Sequence, residues 1–158
     1  MDAPSVAVCV TGLQRSLLEP FVVGSYGEHI FEALSGSGWT VDSFLAVVLR
    51  DIATVNAATT SARARLKAAI ELAYPHVRSL RFCSLKASEN IQPAPTCNRV
   101  QTRATRDNKR GELSVLRQWY AIGACYKDVE RYERTSRDGR RYSWLVRTRT
   151  DLVYFTPI

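Results

Sequence analysis

Three charged side chains stand at every second position near the end of the sequence: Arg147, Arg149 and Asp151. Because side chains alternate between the two faces of a β-strand, all three share one side with Leu145 if the strand stays regular. A guanidinium group can bind two phosphate oxygens through parallel hydrogen bonds, and a carboxylate can bind a hard divalent cation. The three charges lie at the C-terminal end of the predicted strand, where ligands bind in parallel α/β sheets. The alternative is an edge strand with a surface ion pair between Arg149 and Asp151, worth less than about 1 kcal/mol.

A second candidate site follows the first apolar run, where Gly12 is followed three residues later by Arg15. A glycine directly after a buried strand lets a ligand come close to the backbone, and an arginine can bind a diphosphate through two parallel hydrogen bonds. The alternative is a tight turn with an exposed arginine. The spacing is neither that of a P-loop nor that of the GxGxxG fingerprint.

The elements that must position these residues are read from apolar runs and helical spacings, which alternate along the chain. That order predicts an α/β domain with a mainly parallel sheet and flanking helices, whose ligands bind at the carboxyl ends of the strands. The length of 158 residues fits one domain, 1–158. The predicted strands are 5–10, 40–49, 79–85 and 142–155, and the predicted helices are 17–34, 62–74 and 112–132.

Between the third strand and the last helix, the segment 87–110 breaks the pattern. It holds two prolines, several polar residues and five basic residues. A stretch of this length and composition is typical of a mobile, solvated, basic loop. In the helix that follows, Trp119, Tyr126 and Val129 fall at helical spacing and predict a stripe that packs in the core.

Three segments together resemble the N-terminal half of nucleotide-sugar glycosyltransferases of the GT-A type: VAVCVTGLQR, LRQWYAIGACYKDVERYE and YSWLVRTRTDLVYF. The closest likeness is to a group whose fourth strand ends in Arg-x-Arg-x-Asp instead of Asp-x-Asp. The resemblance implies a Rossmann-like nucleotide-binding sheet, a nucleotide-sugar donor and a glycan or protein acceptor. It also implies that Gly12 and Arg15 lie near the nucleotide, and that Gln118 faces the donor site.

In the same family, Asp151 would match the last carboxylate of Asp-x-Asp, which holds a Mn²⁺ or Mg²⁺ ion that bridges the diphosphate. Arg149 occupies the first acidic position of that motif, so this chain departs from the standard pattern. A single carboxylate can still anchor a cation that takes its other ligands from phosphate and water. Alternatively, Arg147 and Arg149 neutralise the departing diphosphate without a metal. Of the two arrangements we expect the metal-assisted one.

The charge distribution offers a competing function. The chain carries a net charge of +7, as −4 over residues 1–60 and +11 over residues 61–158. Such a field attracts phosphate-bearing partners, and basic residues interleaved with tyrosines are typical of nucleic-acid surfaces. Interspersed acidic residues favour a mixed-charge solvated face instead, and the sequence has no RRM, KH or zinc-finger signature. A basic nucleic-acid-binding module and a catalytically silent interaction domain are therefore the alternatives. The basic residues concerned are Lys127, Arg131, Arg134, Arg137, Arg140 and Arg141.

The remaining sequence features concern the cellular compartment of the protein and whether the domain is complete. The four cysteines are far apart and lack zinc-site spacing, and Cys9 and Cys83 lie in apolar runs typical of buried free thiols. The sequence shows no signal peptide and no apolar run of about 18 residues. We therefore expect a soluble, thiol-reduced protein, cytoplasmic by default. Because Ile158 follows soon after Asp151, we also expect the domain to be incomplete at its C-terminus, with an exposed apolar edge near Trp144.

Overall fold

Parallel strands form the centre of the protein. The computed structural model describes residues 3–49, 60–84 and 106–154, except the side chains of 15, 49, 60–63, 84 and 106–117. In this part of the chain four strands make one sheet in the order β3-β2-β1-β4, and every neighbouring pair is parallel. The predicted Rossmann-like α/β fold is therefore confirmed. The strands are β1 (Ser5–Leu13), β2 (Thr40–Leu49), β3 (Val77–Ser84) and β4 (Trp144–Arg149).

Helices cover both faces of the sheet. The predicted helix 17–34 is observed from Pro20 to Gly36. Gly24 lies within its first α-helical part, and Gly27 begins a π-helical stretch, Gly27–Glu32, that joins the two α-helical parts. Pro20 suits the first helical turn, where its missing N–H would have had no partner. The helices are α1 (Pro20–Tyr26), α2 (Ala33–Gly36), α3 (Thr60–Ala73) and α4 (Arg106–Ser136).

The loop predicted for 87–110 needs a correction at its C-terminal end. Residues 106–110 belong to α4, which begins at Arg106 and ends at Ser136, several residues beyond the predicted 112–132 on both sides. Basic residues and Glu112 are good helix formers, so the basic composition did not exclude a helix here. Residues 87–105 lie outside the described part of the chain.

Two apolar layers hold the sheet between its helices. On one face the even-numbered valines of β1, Val6, Val8 and Val10, pack with Tyr26 and Tyr74 from the helical segments that flank β2. On the other face α4 packs against Ala7, Cys9, Phe44 and Ala46. Burying each large apolar side chain contributes about 1.5–3 kcal/mol. β1 is buried on both faces because its run of apolar residues is nearly continuous.

The prediction of reduced thiols is wrong for Cys9. Cys9 is buried as expected, but it forms a disulfide with Cys125 of α4, 116 residues away in sequence, with the two Cα atoms 6.0 Å apart. The sequence pattern could not predict this pair, because the two cysteines are brought together by the packing of α4 on β1 and not by local spacing. Cys83 is a buried free cysteine.

The predicted aromatic stripe of α4 is also wrong. Val129 is buried, but Trp119 is 65% exposed and Tyr126 is 38% exposed. The helix instead turns its small residues Ala121 and Cys125 toward Ala7 and Cys9. Larger rings pack around this contact, where Phe44 of β2 meets the edges of Tyr132 and Tyr142. No helix in the described ranges is long and apolar enough to cross a membrane.

Candidate functional site: the crevice at the ends of β1 and β4

The strand order reverses between β1 and β4. The chain places β2 and β3 successively on one side of β1, and then returns to add β4 on the other side. In open α/β sheets ligands bind in the crevice outside the carboxyl ends of the strands at such a switch point. The site predicted from the sequence therefore falls at the ends of β1 and β4, where Leu13 and Arg149 are the last strand residues.

Gly12 lets the two strand ends close on each other. Its φ is +151°, which favours glycine, and a Cβ at this position would overlap the side-chain hydroxyl of Thr150. That hydroxyl donates to the carbonyl of Leu13 at 2.8 Å, and the backbone N–H of Thr150 donates to the carbonyl of Thr11 at 3.2 Å. The group that comes close to Gly12 is thus the turn after β4. The sequence interpretation, which reserved this space for a ligand, missed the buried threonine between the two charged residues.

Arg147 and Arg149 project from β4 on the α4 side of the sheet. The parallel register pairs Arg147 with Cys9 and Arg149 with Thr11, so both arginines share the face on which Cys9 meets α4. Both side chains are exposed. Arg147 makes no hydrogen bond or ion pair with any residue of the described ranges, so its guanidinium is free to meet a ligand there.

Asp151 lies in the turn after β4, because the strand ends at Arg149 and the alternation of faces stops there. Arg149 donates from Nε to Oδ1 at 2.9 Å and from Nη2 to Oδ2 at 2.8 Å of Asp151. These hydrogen bonds, together with the carboxylate's charge, raise the pKa of Arg149 above its ordinary value. Both side chains are more than a third exposed, so the pair itself adds less than about 1 kcal/mol. The ion pair considered as the alternative in the sequence is therefore present, and it fixes the direction of Arg149.

Only the backbone of Arg15 is described, and it lies beside the crevice. It is the middle residue of a short 3₁₀ turn, Gln14–Ser16, that follows β1 directly. Its side chain lies outside the described residues, so the predicted contact with a diphosphate stays a prediction.

Gln118 can be placed by the direction of α4. Arg137 donates to Ser5 at the start of β1, and Cys125 bonds to Cys9 further along, so α4 runs antiparallel to β1. The seven residues from Cys125 back to Gln118 span about 10.5 Å of helix, which equals roughly three strand residues. Gln118 therefore lies level with Gly12. It shares the sheet-facing stripe of Ala121 and Cys125, because residues three, four and seven apart lie on one side of a helix.

The donor set at the crevice does not by itself fit a protein-held cation. Asp151 already accepts two hydrogen bonds from Arg149. The described ranges contain no group of three or more histidine, cysteine or acidic side chains placed to share a metal ion. A Mn²⁺ or Mg²⁺ ion at Asp151 would need most of its ligands from phosphate oxygens and water. We therefore assign no chemical step to a metal.

The crevice thus brings together Gly12, Arg147, Arg149 and Asp151, with the backbone of Arg15 beside them and Gln118 level with them on α4. This arrangement can bind a doubly charged anion through guanidinium groups. Comparisons of the chain with protein-family models, with curated proteins and with solved structures gave no match.

Proposed function

We propose that the crevice binds the diphosphate of a nucleotide sugar, and that the chain is the donor-binding half of a GT-A-like glycosyltransferase. The observation that carries the proposal is the position of Arg147 and Arg149, exposed on one face of β4 at the point where the strand order reverses. That is where α/β sheets of this kind bind nucleotides.

The chemistry of the two arginines supports a diphosphate as the ligand. Their Cα atoms lie two strand residues apart, about 6.6 Å, which allows two guanidinium groups to contact neighbouring phosphates. Arg149 is held by Asp151, so less side-chain freedom is lost when it binds. In a glycosyl transfer the nucleoside diphosphate leaves with its negative charge. Fixed guanidinium groups at that point stabilise the charge as it develops.

The basic end of α4 supports the nucleic-acid alternative less well than its composition suggested. Arg137 stacks 3.8 Å from the ring centre of Tyr142 and donates to Ser5, and Arg131 lies 3.4 Å from Asp128. Arg140 also donates to the carbonyl of Arg137 at 3.3 Å, so three of the six basic residues already have a partner within the described part of the protein. We therefore place the diphosphate-binding function first.

The test is calorimetry with the intact chain. We expect UDP or GDP, alone or carrying a sugar, to bind, and uridine or guanosine without phosphate to bind at least tenfold more weakly. If no nucleoside diphosphate or nucleotide sugar binds with or without Mn²⁺, the proposal fails.

The Asp151→Ala variant decides between metal and arginine. If a metal bridges the diphosphate, Mn²⁺ strengthens binding to the wild-type chain and loses that effect in Asp151→Ala. If the arginines act alone, Asp151→Ala frees Arg149 and binding without Mn²⁺ stays the same or becomes tighter. The matched control is Asp138→Ala, which removes one exposed carboxylate from the turn before β4.

A further inference from the structure

A second concave surface lies at the opposite edge of the sheet, between β3 and the outer side of α4. It encloses about 400 Å³, and we call it the Trp119 groove. β3 and β4 are the two edges of the described sheet, so this groove is separate from the crevice. Its lining residues are Arg81, Trp119, Tyr120, Gly123, Ala124, Lys127 and Arg131.

Three cationic side chains surround this groove, and one buried carboxylate organises two of them. Asp128, whose side chain is 3% exposed, accepts a hydrogen bond from Nε of Arg81 at 2.9 Å and pairs with its Nη2. Arg131 approaches the same carboxylate at 3.4 Å. One negative charge thus faces three positive charges, and the local balance is positive.

Lys127 supplies a charge that has no partner among the described residues. It is exposed, and it makes no hydrogen bond or ion pair with the residues described. Arg81 donates hydrogen bonds from Nε and Nη2 to Asp128, so its third nitrogen, Nη1, lies outside the pair. The groove therefore presents the positioned guanidinium of Arg81 and the exposed ammonium of Lys127 to an anion.

An aromatic surface lies beside these donors. Trp119 is 65% exposed although the sequence pattern predicted it in the core, and Tyr120 stands next to it. Gly123 also lines the groove, and the space beside it is open, since a Cβ at this position would meet no atom within 4 Å. An exposed indole beside arginine and lysine is the combination that binds a planar base by stacking and its phosphate by charge.

We propose that the Trp119 groove binds a nucleotide unit, its base stacked on Trp119 and its phosphate held by Lys127, Arg131 and Arg81. The unit is either a free nucleotide or part of a single-stranded nucleic acid, since both present the same base and phosphate. This site is independent of the diphosphate crevice.

The test measures binding of a fluorescein-labelled eight-residue oligouridylate by anisotropy, and of UMP by quenching of tryptophan fluorescence. We expect Trp119→Ala to weaken binding about 5- to 150-fold, the range that one stacking contact provides. Lys127→Ala should lower the slope of log affinity against log salt by about one. Arg134→Ala, an exposed residue of the same helix outside the groove, should leave that slope unchanged.

Gly123→Leu fills the groove without removing a charge, and it should weaken binding while circular dichroism stays that of the wild type. Equal binding of UMP and of the oligonucleotide assigns the site to free nucleotides, whereas binding of the oligonucleotide alone assigns it to nucleic acid. The proposal is overturned if Trp119→Ala binds like the wild type, or if uridine binds as tightly as UMP. It is also overturned if a sulfated disaccharide binds more tightly than either ligand, or if Arg147→Ala weakens oligonucleotide binding as much as Trp119→Ala does.

Discussion

Two of the ion-paired aspartates lie in different regions of the sheet. On the α4 side of the sheet, between α4 and β3, Asp128 is buried and accepts hydrogen bonds from Arg81 and Ser79. At the β4 edge, Asp151 is a third exposed and accepts hydrogen bonds from Arg149. The first region also contains the disulfide, and the second carries an arginine without a partner in the described ranges, Arg147. Burial of Asp128 gives the first ion pair a structural role, while Nη1 of Arg81 stays outside the pair. Exposure leaves the charges of the second available to a ligand.

The disulfide gives the largest effect expected from this comparison. It closes a loop of 116 residues, for which the chain-entropy account gives about 4–5 kcal/mol of stability. Replacing both Cys9 and Cys125 by alanine should lower the free energy of unfolding by about that amount in a urea titration. Arg147→Ala at the β4 edge should change it by less than about 0.5 kcal/mol.

A thiol count checks the same bond directly. Titration in denaturant should find two fewer reactive thiols before reduction than after it. Equal counts would show that Cys9 and Cys125 are reduced, and the α4 side would then be held by packing alone.

The two aspartates provide the next contrast. Asp128→Ala removes a buried carboxylate that accepts hydrogen bonds from Arg81 and Ser79, and it should cost about 2–4 kcal/mol. The cost stays below that of a fully buried pair because Arg81 and Arg131 remain partly exposed. Asp151→Ala removes an exposed pair and should cost less than about 1 kcal/mol. Thermal and urea unfolding of the two variants measure the difference. Equal losses would remove the distinction between a structural and an available pair.

Gly12 couples β1 to the turn after β4, and its replacement should have an intermediate effect. Gly12→Ala adds a Cβ that overlaps the Thr150 hydroxyl at a φ of +151°, so we expect a loss of about 1–3 kcal/mol. The double variant with Thr150→Ala removes the overlapping oxygen and should be less destabilised than the sum of the single variants. Strict additivity in the unfolding free energies would mean that the two residues do not touch.

The smallest predicted effect is a dependence on pH. Burial alone would raise the pKa of Asp128, but the hydrogen bonds and charge of Arg81 outweigh it, and the pKa lies below its ordinary value. The stability from this group is therefore complete above the unfolded value, about 3.9, and is lost as the pH falls toward the native pKa. The difference in unfolding free energy between the wild type and Asp128→Asn should shrink from pH 6 to pH 3. A difference that grows on acidification would contradict this.

The sequence predicted β1 and β2 well because both contain nearly continuous apolar runs, which are typical of buried parallel strands. It was wrong about the length of β4, which was predicted as 142–155 but ends at Arg149, so Asp151 lies in the turn and not on the strand face of the two arginines. It predicted the core face of α4 poorly, because hydrophobicity ranks Trp119 above Ala121. The residues that α4 turns toward the sheet are Ala121, Cys125 and Val129. At the site, the arginine spacing was readable from alternation along a strand. The contact of Thr150 with Gly12 and the pairing of Cys9 with Cys125 join residues more than a hundred positions apart, which no local pattern reveals.

Arg147, which has no partner in the described ranges, is the residue on which the proposed diphosphate binding depends most. Calorimetric titration of UDP into Arg147→Ala and into Arg141→Ala, which removes an exposed arginine before β4, tests this dependence most directly. We expect Arg147→Ala to weaken binding at least tenfold, the loss of about 1.4 kcal/mol in a charge-assisted contact, while Arg141→Ala binds like the wild type. Equal affinities of Arg147→Ala and the wild type would contradict the account.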